Sequence, residues 1–136
     1  MSQQRKMPIG IQDFEKLRNF DCVYVDKTPY IWKLVNDPAP YFLSRPRRFG
    51  KSLLLTTLKA YFLGKRELFE GLAIAELETE WQEYPVLHLD FNPSRYDSPE
   101  SLNRFTSNCL EKMETAYGMP PGADGDLPEI RFQNLI

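Results

Sequence analysis

The sequence predicts an α/β fold, with a partial, mostly parallel sheet flanked by helices. Three observations predict it. An apolar run, YFLS at 41–44, leads through a basic turn into an amphipathic stretch at 51–64. A second run, YPVLHLDF at 84–91, carries apolar residues on both faces, as a strand covered on both sides does. Around these runs lie segments with helical spacing and recognisable start and stop residues.

Taken in order, QDFEKLRNF (12–20) predicts a short helix and VYV (23–25) a short extended piece. DKTPYIWKLV predicts a helix, with Asp26 or Thr28 as its cap and Pro29 in its first turn. Ile31, Leu34 and Val35 then share one face, and Pro38 and Pro40 end the helix by disfavouring helical backbone at the residues before them. YFLS reads as a buried strand. KSLLLTTLKAYFLG (51–64) has apolar residues at 54, 55, 58, 61 and 62, which is helical spacing, and Gly64 is placed to stop it. KRELFEGLAI reads as a second short helix closed by Gly71. After the strand at 84–91, Ser98 caps a helix with Pro99 in first position and a stripe of Leu102, Phe105, Cys109, Met113 and Ala116. Gly118 and the prolines after it end that helix. MPPGADGDLPE reads as an acidic surface loop, and LPEIRFQNLI opens another amphipathic helix.

The chain has 136 residues, 42% apolar and 26% charged, which suits one globular domain with a hydrophobic core. A net charge of −2 supplies no global field for nucleic acid or an anionic membrane, so any basic site must be local. The densest local cluster is Arg45, Arg47, Arg48 and Lys51. No apolar run is long enough to span a membrane, and the N-terminus has no secretory pattern, so a cytoplasmic location is expected. Cys22 and Cys109 fit no metal spacing and read as small apolar residues with free thiols.

The segment RPRRFGKS (45–52) carries the chemistry. Strand, turn, Gly-Lys-Ser and helix together aim successive backbone N–H groups and a helix N-terminus at one anion. Gly50 lets the backbone approach the anion, Lys51 reaches outer phosphates, and Ser52 offers a hydroxyl to Mg²⁺. The full pattern G-x-x-x-x-G-K-[ST] wants glycine where Arg45 stands, and arginine takes φ > 0 only at a cost. Two outcomes follow: Pro46 sets the turn while the Arg45 side chain swings out or onto a phosphate, or the loop distorts and the site is lost.

RPRRFGKS, with VYVDKTPYIWKLV upstream and YFLGKRELFEGLAI and YPVLHLDF downstream, resembles the bacterial AAA-ATPase-like family over roughly residues 7 to 110. The resemblance implies the N-terminal part of a P-loop NTPase fold, ATP and Mg²⁺ as ligands, and tolerance of arginine at position 45. It implies that residues 1–40 are a helical lead-in to the same domain. Residues 41–136 would be its core, ending before the acidic strand that holds the metal, and the chain's apolar end fits the front part of something longer. Arg45, Pro46, Arg47, Arg48, Phe49, Gly50, Lys51 and Ser52 would form the phosphate loop. Family members often carry a PD-(D/E)XK-type nuclease domain, an implied partner in a longer protein, and some self-associate.

Other residues keep two readings. Asp90 ends an apolar run, so it is either a Mg²⁺ ligand or a cap for the next turn. His88 is a packing residue or a catalytic one. Asp26, Lys27 and Thr28 line a nucleotide pocket or start the helix, and Tyr24, Tyr30 and Trp32 are a base platform or core. The leading expectation is an ATP-binding module that hydrolyses little or nothing without residues beyond this chain. The alternative is a degenerate phosphate-loop domain serving interaction or nucleic-acid binding, for which the acidic net charge is a poor match.

Overall fold

A computed structural model describes residues 4–92, 95–119 and 127–136. The acidic loop expected at 119–129 falls mostly outside the described residues. The chain divides into two compact units, Met1–Val86 and Leu87–Ile136.

In the first unit, helices α1 (Phe14–Asn19), α2 (Thr28–Asn36) and α3 (Lys51–Phe62) are followed by a 3₁₀ turn (Arg66–Phe69) and a one-turn helix α4 (Ile74–Leu77). Local signals account for their ends. Asp13 accepts from Lys16 N–H and starts α1, while α2 stops at Asn36 ahead of the two prolines. Gly64, at φ 67°, ends α3, and a Cβ there would sit 2.7 Å from Glu83 Cγ. Glycine is required at that position on both counts.

The helices bury an aromatic core. Phe14 and Phe69 stack at 4.9 Å, Phe14 meets Tyr24 edge-on at 5.4 Å, and Phe69 meets Trp81 at 5.1 Å. Ile31, Ala60, Leu68, Leu72 and Ile74 fill the remainder. Asp26 and Thr28 join α2 to α4. Asp26 Oδ1 accepts from the N–H (2.9 Å) and hydroxyl (2.6 Å) of Thr28, and Oδ2 accepts from Ala73 N–H at 2.7 Å. Fully buried Thr28 in turn accepts from Ile74 N–H at 3.1 Å.

This junction carries a pH dependence. Partial burial pushes the Asp26 carboxyl up, but hydrogen bonds from the Thr28 hydroxyl, Ala73 N–H and Thr28 N–H outweigh it and hold it below 3.8. A carboxyl depressed on folding stabilises fully above its unfolded value and loses that contribution as pH falls through the folded one. Acid titration followed by circular dichroism is therefore expected to show wild type losing stability as pH falls below the ordinary aspartate range. Asp26→Asn should flatten that stretch of the curve, and parallel curves would remove Asp26 from the account.

The sheet expected of an α/β fold is absent among the described residues. Among the described residues the strand-type pairing is one isolated parallel bridge, Lys6 with Cys22. The runs at 41–44 and 84–91 form no ladder, and Phe42 is 94% exposed. Apolar patterning shows what a segment can bury once paired. A strand partner comes from elsewhere in the chain, and among the described residues neither run lies in a ladder. Tyr84 N–H donates instead to the Phe62 carbonyl at 2.7 Å. The mostly parallel sheet is thus replaced by a helical architecture.

In the second unit, α5 (Pro99–Ala116) begins with a reciprocal Ser98–Ser101 capping pair and packs on α6 (Pro128–Leu135). Phe105 contacts Phe91 at 5.8 Å and Tyr96 at 5.4 Å. The buried face of α5 differs from the expected stripe. Leu110 and Glu114 are buried, while Leu102 is 39% exposed and Ala116 is exposed. Glu114 is buried because Arg131 of α6 grips both its oxygens, at 3.2 and 2.7 Å. A bidentate pair of this kind compensates the carboxylate's desolvation.

Candidate functional site

The segment from Tyr41 to Ser52 is exposed throughout and ends at the N-terminus of α3. Gly50 is the N-cap residue at φ 80°, and its carbonyl accepts from Leu54 N–H at 2.9 Å. No side chain caps this helix start, which leaves the first-turn N–H groups of α3 open to an anion. A Cβ on Gly50 would meet nothing within 4 Å, so the left-handed backbone is what calls for glycine there.

The strain expected at Arg45 lies three residues further on. Arg45 has no positive φ, whereas Arg48 has φ 66°. Arg48 and Gly50 both take positive φ, one residue apart, immediately ahead of helical Lys51. Left-handed residues set beside helical ones are the backbone pattern in which successive N–H groups converge on an anion. A non-glycine residue held left-handed costs about 1–2 kcal/mol. Arg48→Gly is expected to be more stable than Arg48→Ala by about 1 kcal/mol in urea unfolding, because both remove the charge and only glycine relieves the backbone. Equal midpoints would mean that Arg48 is unstrained.

Among the described residues, Arg45, Arg47, Arg48 and Lys51 take part in no ion pair. The loop therefore presents uncompensated positive charge in a chain of net charge −2. Ser52 is exposed one residue into α3, and its carbonyl accepts from Thr56 Oγ1 at 3.1 Å. Thr56 Oγ1 also accepts from Phe14 N–H at 3.1 Å, which ties the first turn of α3 to α1 and the core.

A cavity of about 300 Å³ adjoins the loop. Its walls include Tyr24, Val25 and Lys27 ahead of α2, Arg45, Phe49 and Gly50 from the loop, and Leu53 of α3. Lys27 and Tyr24, each given a pocket reading from the sequence, lie in this wall, and Pro8 and Leu17, which the sequence did not single out, line it as well. Tyr24 packs against the core and lines the cavity, with its hydroxyl near Thr57 and the Lys27 backbone. Burial is the main cause that pushes the Tyr24 phenol above its ordinary value. Trp32 packs against the core, while Tyr30 is 67% exposed.

Two residues of the second unit were singled out by sequence. Asp90 Oδ1 accepts from Asn92 N–H at 3.0 Å, a carboxylate closing its own turn. His88 is exposed rather than packed. The two cysteines are free, Cys22 buried and Cys109 half-buried.

The Gly-Lys-Ser turn leads into an uncapped helix start, and a comparison with protein families finds a match over most of the chain. It belongs to the AAA-ATPase-like family, described as "Predicted AAA-ATPase", whose pattern matches residues 8–136. It is also similar to the "Uncharacterized protein in vnfD 5'region" of Azotobacter chroococcum mcd 1, with 40% identity over 117 residues. That match covers 85% of this chain and 23% of the relative, so the chain spans less than a quarter of the relative's length. No solved structure matches it significantly. Among the described residues no helix is long and apolar enough to cross a membrane.

Proposed function

We propose that this chain is an ATP-binding module that holds nucleotide phosphates in the loop Arg45–Ser52. The observation that carries the proposal is the pair of left-handed residues Arg48 and Gly50, set at an uncapped helix start among unpaired cations. Phe49, Gly50 and Lys51 supply inward N–H groups, and Lys51 adds a mobile positive charge for the outer phosphates. Arg45, Arg47 and Arg48 neutralise the remaining phosphate charge, with Pro46 fixing φ between the first two. Ser52 supplies the protein's hydroxyl to Mg²⁺, which screens the β- and γ-phosphate oxygens when bound.

Hydrolysis needs a positioned water and acidic metal ligands as well as a phosphate loop. Those groups belong to a longer protein of the kind the relative represents, and this module on its own binds nucleotide with little turnover. A nuclease domain, self-association and a cytoplasmic location are proposed for the longer protein on the family resemblance alone.

A second reading has its own observation. Tyr41, Phe42 and Phe49 are 55%, 94% and 61% exposed beside the loop cations, the mixture of rings and charge that single-stranded nucleic acid favours. Calorimetric titration separates the two. Saturable MgATP binding, insensitive to added oligonucleotide, supports the nucleotide module. Oligonucleotide binding that falls steeply with salt, without any nucleotide effect, supports the second reading.

A further inference from the structure

We infer that Thr56 is a positioning residue for the phosphate loop: its hydroxyl ties the first turn of α3, where Lys51 and Ser52 stand, to the start of α1. The inference rests on the reading of Arg45–Ser52 as a phosphate site and adds a residue outside the loop on which that site depends.

A threonine hydroxyl has one proton to give and two lone pairs to receive. Thr56 uses both. Its proton goes into its own helix, where the Ser52 and Leu53 carbonyls each lie 3.1 Å away. That much is ordinary for a helical threonine: on α5, Thr106 and Thr115 bond back to the Leu102 and Glu111 carbonyls in the same way. The incoming bond is different. Phe14 N–H, 42 residues earlier in the chain, donates to Thr56 Oγ1 at 3.1 Å. Phe14 is the first residue of α1 and its side chain is fully buried, so this N–H has no partner within its own helix. One hydroxyl thus closes the open start of α1 and holds a carbonyl in the first turn of α3.

Positioning needs a fixed reference, and α1 supplies one. Phe14 stacks on Phe69 at 4.9 Å, and Arg18 at the other end of α1 donates to the Leu68 and Glu70 carbonyls at 2.7 and 2.6 Å. Glu15 pairs with Lys65 at 2.7 Å between them. The start of α3 has no such support: no side chain caps it, and the residues ahead of it are exposed. Among the described residues, the long-range hydrogen bond closest in sequence to the loop is the one at Thr56, one turn beyond Ser52. Without it the first turn is held by the apolar packing of Leu53 and Leu54, which is not directional and tolerates rotation of the helix end.

Two readouts test the role. In the wild type, hydrogen exchange of the Phe14 and Lys16 amides is followed with and without saturating MgATP. Lys16 N–H is capped within the α1 start by Asp13 at 2.9 Å, so it reports α1 alone. Ordering of the loop by MgATP is expected to slow exchange at Phe14 by about threefold or more beyond any change at Lys16. MgATP is then titrated into Thr56→Val, Thr56→Ser and Ile74→Val. Thr56→Val keeps the branched shape without the hydroxyl and is expected to weaken binding by about 3–10-fold. Thr56→Ser restores the hydroxyl and is expected to bind within about twofold of wild type. Ile74→Val trims a fully buried side chain of α4, away from the Thr56 bonds, and should lower stability without weakening MgATP. Thr56→Val binding as wild type does, or Ile74→Val losing as much affinity, would overturn the positioning role; with Lys51→Ala still defective, the loop reading stands. Equal changes at Phe14 and Lys16 would overturn it too, and that comparison decides the matter should Thr56→Val fail to fold. If MgATP does not bind the wild type, both proposals fall.

Discussion

Lys51→Ala is expected to weaken MgATP binding by about 10–100-fold, the loss of one charge-assisted contact of about 1.5–3 kcal/mol. The side chain is exposed at the first position of α3 and forms no ion pair among the described residues. Its removal should therefore leave folding stability within about 0.5 kcal/mol. That separation makes the variant informative, because a binding defect cannot be ascribed to unfolding. Lys51→Arg is expected to restore part of the affinity, since the charge returns while the guanidinium's wider fork fits the narrow loop less well. Binding within about twofold of wild type in Lys51→Ala would move the phosphates away from the loop.

Phe69→Ala is expected to cost about 3–5 kcal/mol of stability. Phe69 is fully buried, with Phe14 at 4.9 Å on one side and Trp81 at 5.1 Å on another. Truncating it removes the ring contact shared by α1, the 3₁₀ turn and the segment after α4. Small domains are stable by only about 5–15 kcal/mol, so the variant should sit near the edge of folding. Urea unfolding followed by tryptophan fluorescence checks it: the midpoint should fall sharply with little change in slope. A loss below about 1 kcal/mol would show that the aromatic cluster is not the core of the first unit.

The helices were legible because their signals are local. Pro38 and Pro40 stop α2, Gly64 stops α3, and Ser98 with Pro99 starts α5, each through backbone constraints that act within a few residues. The sheet was misread because pairing is non-local: YFLS and YPVLHLDF have strand-like composition, yet ladder partners are not written in either run. The face of α5 was misread for a related reason. Glu114 does not count in an apolar pattern, but Arg131 on another helix makes its burial tolerable. In the candidate site, Gly-Lys-Ser and the helix after it could be read directly. The strain was placed at Arg45 because a glycine pattern points there, whereas the left-handed turn falls on Arg48, a residue whose identity gives no hint of positive φ. The sequence offers Asp26 or Thr28 as the cap of α2, but the N-cap is Lys27 with no side-chain cap. Asp26 and Thr28 reach instead to Ala73 and Ile74, which only tertiary packing brings close.

Backbone amide resonances of Phe49, Gly50, Lys51 and Ser52 followed during MgATP titration test the central claim most directly. At 15.9 kDa the chain is within easy reach of such a measurement. Phosphates received by the curled loop should shift these amides together, saturably and more than any others in the first unit. Saturable binding with these four amides unmoved would contradict the account.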